Sequence, residues 1–220
     1  MAPDNFLREL RAICNRHGIL LVVDEVQSGA GRTGKWWAIE HSGVEPDVVC
    51  MAKGIASGMP LGICMARAEI MDWVPGSHAS TFGGNPVSIA AALATFDILE
   101  REAIGNAARV GAKMLNRLHG WKQTHPLVGD VRGRGLMIGI ELVKDKTTRE
   151  PVNALRNRLE TLAFERGLMI LGCGETSIRL CPPLTVNENE ATVALDILED
   201  ALTEVEQEHA HAGELAGATA

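Results

Sequence analysis

Two apolar runs in this chain each end on a single charge, and the two charges have opposite sign. Ile19-Leu20-Leu21-Val22-Val23 closes on Asp24, and Val48-Val49-Cys50-Met51-Ala52 closes on Lys53 twenty-nine residues later. Short apolar runs bounded by turn-forming residues read as buried strands. A charge at the end of such a strand is desolvated at a cost, so it needs a partner or a task. Open α/β sheets also place their ligand chemistry at strand ends. The first expectation is therefore an α/β layer with a site built around Asp24 and Lys53.

The chain is long enough for such a sheet. Its 220 residues, 46% apolar and 22% charged, suit one large globular domain or one and a half ordinary ones. A net charge of −7 argues against a nucleic-acid partner. No apolar stretch reaches the length of a membrane span. The opening Met1-Ala2-Pro3-Asp4 has no basic region before an apolar one, so no signal peptide is expected. Five cysteines without a CxxC pair read as reduced thiols in a cytoplasmic protein rather than a disulfide or zinc framework, and no metal site is expected.

Apolar residues at helical spacing (Phe6, Leu7, Leu10, Ile13, Cys14) predict a helix that ends at His17-Gly18. Leu61–Ala66 reads as a third strand, and Asn85-Pro86 as the start of a helix reaching about Glu100, with Asn as N-cap. Ala107, Val110, Met114, Leu118 and Trp121 mark another helix. After His125-Pro126 the pattern changes to shorter elements. Val131–Val143 is extended, Leu155, Leu159 and Leu162 mark a helix, and Leu168–Leu171 and Ser177–Leu180 are short strands. A last helix follows an Asn187/Glu190 capping box. The reading is a Gly-rich α/β portion over 1–121, a smaller α+β domain over 122–208, and a disordered Ala/Gly-rich tail over 209–220.

Gly29-Ala30-Gly31-Arg32-Thr33-Gly34 fits the GxGxxG dinucleotide fingerprint, with Asp47 roughly where the ribose-binding acid belongs. The segment after it, Lys35-Trp36-Trp37-Ala38, opens no clear amphipathic helix. A glycine-rich loop packing across a sheet edge is the preferred reading.

A different cofactor accounts for more of the residues. Pyridoxal phosphate chemistry needs a lysine for the aldehyde and a carboxylate that keeps the pyridinium nitrogen protonated. It also needs an anion site for the phosphate and, for amino-acid substrates, an arginine for the carboxylate. Lys53, flanked by Ala52, Gly54 and Ile55, suits the first role, and Asp24 the second. Ser80-Thr81-Phe82-Gly83-Gly84-Asn85-Pro86, leading into a helix N-terminus, suits the third. Arg179, inside the apolar Ser177-Ile178-Arg179-Leu180, suits the fourth. Each has an ordinary alternative: a solvated strand-end lysine, a turn-capping Asp, a capped loop, and an Arg paired with a structural carboxylate.

Taken together, three segments resemble the class III (subgroup II) pyridoxal-phosphate aminotransferases. They are Leu21-Val22-Val23-Asp24-Glu25-Val26-Gln27-Ser28-Gly29-Ala30-Gly31-Arg32-Thr33-Gly34-Lys35, Pro46-Asp47-Val48-Val49-Cys50-Met51-Ala52-Lys53-Gly54-Ile55 and His78-Ala79-Ser80-Thr81-Phe82-Gly83-Gly84-Asn85-Pro86. Gly129-Asp130-Val131-Arg132-Gly133-Arg134-Gly135 resembles the family's entry into its small domain. The resemblance implies a fold type I PLP-transferase: the C-terminal part of the large mixed-sheet domain, then the α+β small domain. It implies that Lys53 holds pyridoxal 5'-phosphate as an imine and shuttles protons. Asp24 would pair with the ring nitrogen, Val26 pack on the ring and Gln27 bond its phenolic oxygen. Thr81 would reach the phosphate of the other subunit's cofactor in a homodimer, and Arg179 would bind substrate carboxylate.

Within the family the texture is closest to 4-aminobutyrate aminotransferases, which implies an ω-amino donor and a 2-oxo acid such as 2-oxoglutarate. Racemases of the same family share these motifs and stand as the alternative, as does a silent piece that only dimerises. The chain is about half the family's usual length. What is missing is the N-terminal half, with its Gly/Ser-rich phosphate cup and ring-stacking aromatic, so a truncated or split enzyme is expected.

Overall fold

A computed structural model describes residues 1–218, with the side chains of residues 1–211. The chain forms two compact units, Met1–Ala108 and Arg109–Ala220.

The first unit opens with helix α1 (Phe6–His17), closed by Gly18 in the left-handed conformation with φ 64°. Strands β1 (Val22–Asp24), β2 (Val48–Met51) and β3 (Ile63–Ala66) form one sheet in that order. β1 pairs parallel to β2, with Val22 opposite Val48 and Asp24 opposite Cys50. β3 runs antiparallel to β2, with Cys50 opposite Cys64. Side chains alternate across a strand, so Val49 and Met51 share one face of β2 and Cys50 takes the other.

The Val49 and Met51 face carries the core of this unit, where Ile55, Ala56 and Ala92 are buried with them. Ala92 belongs to helix α2 (Pro86–Ile98), which starts as its Asn85-Pro86 signal predicts: Ser88 N–H donates to Asn85 Oδ1 at 2.9 Å. A π-helical turn, Leu99–Ala103, follows α2 directly, and helix α3 (Ile104–Thr124) follows the turn.

The expected buried strand Ile19–Val23 is corrected. Ile19, Leu20 and Val22 are 54%, 52% and 56% exposed, and only Leu21 is buried. The reason is topological. Among the described residues β1 has a neighbouring strand on one side only, so it lies at the edge of the sheet.

In the second unit β4 (Val128–Arg134), β5 (Met137–Leu142), β7 (Ser177–Leu180) and β6 (Leu171–Cys173) form an antiparallel sheet in that order. β5 is a clean period-two strand: Ile138, Ile140 and Leu142 are buried, while Met137, Gly139 and Glu141 are half-buried. Helix α4 (Asn153–Glu165) buries Leu159 and Leu162, and helix α5 (Glu188–Ala218) buries Leu195, Leu198, Leu202 and Val205. The capping box at the start of α5 forms as expected. Glu190 N–H donates to Asn187 Oδ1 and Asn187 N–H to Glu190 Oε2, both at 2.9 Å.

Two expectations meet a different arrangement. The division into units falls after Ala108, inside α3, rather than after residue 121; the α3 stripe Val110, Met114, Leu118 and Trp121 is buried and belongs to the second unit. The expected disordered tail meets α5, which continues to Ala218, while residues 219 and 220 lie outside the described residues.

Candidate functional site

Asp24 is the last residue of β1, and its exposed carboxylate accepts Val26 N–H through Oδ1 at 2.9 Å. This is the local turn that Asp favours. The turn is fixed from below by Glu25, which is 2% exposed. Glu25 Oε1 accepts Ile39 N–H at 2.8 Å, Oε2 accepts the Ser28 hydroxyl at 2.6 Å, and Glu25 N–H donates to Cys50 C=O at 2.9 Å. Two adjacent acids thus take opposite roles: Glu25 is bound inside and Asp24 is presented outside. Val26 and Gln27, both half-buried, follow on the same turn.

Sequence reasoning passed over Glu25. The available signal was the Asp-Glu pair itself, since two neighbouring carboxylates at one strand end cannot both serve a ligand and hold the turn.

Asp47 is not a ribose-binding acid. It is 4% exposed and ties three parts of the unit together. Its Oδ2 accepts Arg11 Nη1 at 2.6 Å and Leu21 N–H at 2.7 Å, and its Oδ1 accepts Arg67 Nη2 at 2.6 Å. The Leu21 N–H and the Arg11 guanidinium hold its carboxyl below the usual carboxylate range. The glycine-rich segment after β1 is a series of turns, as preferred from the sequence. A β-carbon on Gly29 would stand 2.7 Å from Glu25 O, so that glycine lets the chain fold back over the turn.

Lys53 follows β2 as the first residue of a short 3-10 turn, Lys53–Ala56. Its φ is +49°, a left-handed value unusual for a residue with a side chain. Such a conformation costs about 1–3 kcal/mol and persists only where the surroundings enforce it. Here Ile55 and Ala56, both fully buried, enforce it by anchoring the turn in the core. Lys53 itself is exposed. Among the described residues, neither Asp24 nor Lys53 has an ion-pair partner. An exposed carboxylate without a paired cation and an exposed amine therefore stand at the ends of two paired parallel strands.

Thr81 is exposed in the segment before α2. The turn around it is held by Gly83 N–H donating to Ser80 Oγ at 3.0 Å and by Asn85 Nδ2 donating to Phe82 C=O at 3.0 Å.

Arg179 lies in the second unit, on β7 opposite Gly139 of β5 and Leu171 of β6. The absence of a side chain at Gly139 leaves room beside it. Arg179 lines a cavity of about 230 Å³ together with Met114, Leu168, Ile170 and Cys181. Its Nε is buried without a hydrogen-bond partner. The alternative of a structural carboxylate pairing with Arg179 is not realised among the described residues. Arg132, by contrast, meets Asp130 and Glu141 at 3.1 and 3.0 Å.

Residues 1–202 match the family model "Aminotransferase class-III". The chain belongs to the class-III aminotransferase family. Its relatives within that family differ in what they are named for. It is 44% identical to the leucine/methionine racemase of Thermococcus litoralis, over 93% of this chain and 47% of that protein. It is 41% identical to the 4-aminobutyrate aminotransferase of Escherichia coli, over 92% of this chain and 48% of that protein. Among solved structures, the PLP-bound amine transaminase of an uncultivated Pseudomonas species superposes with a TM-score of 0.88 at 39% identity, over 93% of this chain and 49% of that one. The fold of this class-III aminotransferase chain is that of a fold type I PLP-transferase, with the mixed sheet of the large domain followed by the α+β small domain. The chain spans about half the length of the curated relatives it matches. Among the described residues there is no cluster of metal-ligating side chains, and no helix is long and apolar enough to cross a membrane.

Proposed function

We propose that this chain carries the lysine-bearing half of a pyridoxal-phosphate-dependent aminotransferase. The observation that carries the reading is Lys53: an exposed amine on a strained backbone, one strand over from Asp24, an exposed carboxylate with no cation paired to it among the described residues. These residues fit pyridoxal 5'-phosphate. Lys53 would hold its aldehyde and Asp24 its ring nitrogen, with Val26 against the ring and Gln27 at the phenolic oxygen. When bound, the cofactor supplies an electron sink for carbanion chemistry. Asp24 as a carboxylate keeps a proton on the ring nitrogen. Lys53 as a free amine takes a proton from substrate carbon and returns it to a neighbouring atom. Thr81 is proposed to donate a hydrogen bond to the phosphate of a second copy's cofactor, which makes the working enzyme a homodimer. Arg179, whose Nε has no protein partner, is proposed to bind substrate carboxylate in its cavity.

The amino donor we favour is 4-aminobutyrate or a similar ω-amino acid, with 2-oxoglutarate as acceptor. This rests on the likeness to the Escherichia coli 4-aminobutyrate aminotransferase. The 44% identity to a racemase supports a second reading, racemisation of a single amino acid.

Borohydride reduction of the chain with pyridoxal 5'-phosphate, followed by peptide mapping, tests the cofactor role. A reduced adduct on Lys53 is expected, and an adduct on other lysines alone refutes the assignment. Glutamate formed from 4-aminobutyrate and 2-oxoglutarate by the enzyme containing this chain supports the donor. Loss of optical activity from one amino acid without any oxo acid favours the racemase.

A further inference from the structure

Cys50 and Cys64 stand opposite each other on the antiparallel strands β2 and β3. The Cys50 carbonyl accepts Glu25 N–H, so it points toward β1. In an antiparallel ladder a residue directs its N–H and C=O to the same side. Cys50 therefore offers no backbone bond to β3, and Cys50–Cys64 is a non-hydrogen-bonded pair, the kind that sets Cα atoms about 4.5 Å apart. A disulfide spans about 4.4–6.8 Å between Cα atoms, so this site accepts one without moving the strands.

The side chains agree with the backbone. The two thiols are near enough for Cys64 to raise the Cys50 thiol. Both are free; Cys64 is exposed and Cys50 half-buried. The buried Val49 and Met51 lie on the opposite face of β2, so the cysteine pair does not belong to the core. Burial, then Cys64, then the Asp24 carboxylate push the Cys50 thiol up. Cys64 is thus the thiol that a reagent in solution meets first, and Cys50 is the one placed to resolve it.

We propose that Cys50 and Cys64 form a reversible dithiol–disulfide site whose co-reactant is a small-molecule disulfide. Cys64, as thiolate, attacks one sulfur of that disulfide and releases one small thiolate. Cys50 then loses its proton, attacks Cys64 Sγ and releases the second. Two protein thiols are oxidised to one S–S bond, and one small disulfide is reduced to two thiols. The resulting bridge stands beside Asp24 on the same sheet face, because Asp24 is the residue opposite Cys50 on β1. The inference does not depend on the cofactor reading.

The test uses the full chain equilibrated with increasing ratios of oxidised to reduced glutathione, then alkylated and digested with trypsin. Cleavage after Lys53 and Arg67 puts the two cysteines in separate peptides, 36–53 and 54–67. The expected result is loss of two of the five thiols and a linked 36–53/54–67 species that a reductant returns to its parts. Cys50→Ser should instead hold glutathione on Cys64, and Cys64→Ser should leave Cys50 alkylated in full. Full alkylation of both cysteines in the oxidised wild-type chain would overturn the proposal. So would Cys64 linked to another cysteine or to a second copy.

Discussion

The Glu25 carboxylate takes the backbone N–H of Ile39 at 2.8 Å, and both residues are buried. This one bond joins the turn that presents Asp24 to the segment leading toward β2. Glu25→Ala leaves the Ile39 N–H without its acceptor, and an unsatisfied buried group costs about 1–3 kcal/mol. Glu25→Gln keeps one acceptor oxygen and should lose less. Chemical denaturation of the three chains checks the order. An alanine variant as stable as wild type would show that the turn is held by something else.

Asp47 makes stability depend on pH in a definite direction. Its folded-state carboxyl titrates below the ordinary range, so its contribution is complete above the unfolded carboxylate value, about 4. That contribution is lost as pH falls through the lower folded-state value. The difference in unfolding temperature between wild type and Asp47→Asn should be constant from about pH 5 to 7 and close below about pH 4. A gap that widens in acid would contradict the assignment.

Gly111 on α3 approaches the β4–β5 turn so closely that a β-carbon would stand 2.1 Å from Gly135 O. The obstacle is backbone and cannot swing away. Gly111→Ala should therefore destabilise the chain by about 1–3 kcal/mol, as overpacking does, despite alanine's better helix propensity. Gly120→Ala on the same helix meets open space and serves as the control. Thermal unfolding of the pair should give shifts of opposite sign.

Lys53 tests whether strain and chemistry share a residue. Lys53→Gly and Lys53→Ala should both abolish the borohydride adduct. Glycine tolerates φ +49° and alanine does not, so the glycine variant should be the more stable by about 1 kcal/mol. Equal stabilities would mean that the turn relaxes once the lysine is gone.

Arg179 and Arg132 should respond oppositely to the same change. Arg179→Met removes a buried N–H that has no partner, so the unfolding temperature should hold or rise. Arg132→Met takes a cation from Glu141 and one of two from Asp130, which keeps Lys122, and should lower stability by up to about 1 kcal/mol, the range for half-exposed ion pairs. A larger loss at Arg179 would assign it a structural partner.

Most of the elements were legible because their signals are local. Asn85-Pro86, Asn187/Glu190 and the alternation of Ile138, Ile140 and Leu142 each report on their own few residues. The exposure of Ile19, Leu20 and Val22 was not legible, because an apolar run gives its preference for burial but not the number of neighbouring strands. The placement of Asp24 and Lys53 at the ends of neighbouring strands was legible, whereas the φ of Lys53 was not, since it is imposed by Ile55 and Ala56 from the core. The structural roles of Glu25, which was passed over, and of Asp47, weighed only as a ribose-binding acid and not preferred, were not legible, because their partners (Ile39 N–H, Leu21 N–H, Arg11, Arg67) lie 14 to 36 positions away.

One carboxylate, Asp47, receives helix α1 through Arg11, the approach to β1 through Leu21, and the residue after β3 through Arg67. These connections lie between segments far apart in sequence, so none can open without loosening the others. The Leu21 amide, donated to Asp47, then becomes a reporter. Its exchange with solvent deuterium should follow the opening of the first unit as one cooperative piece rather than the fraying of a short edge strand.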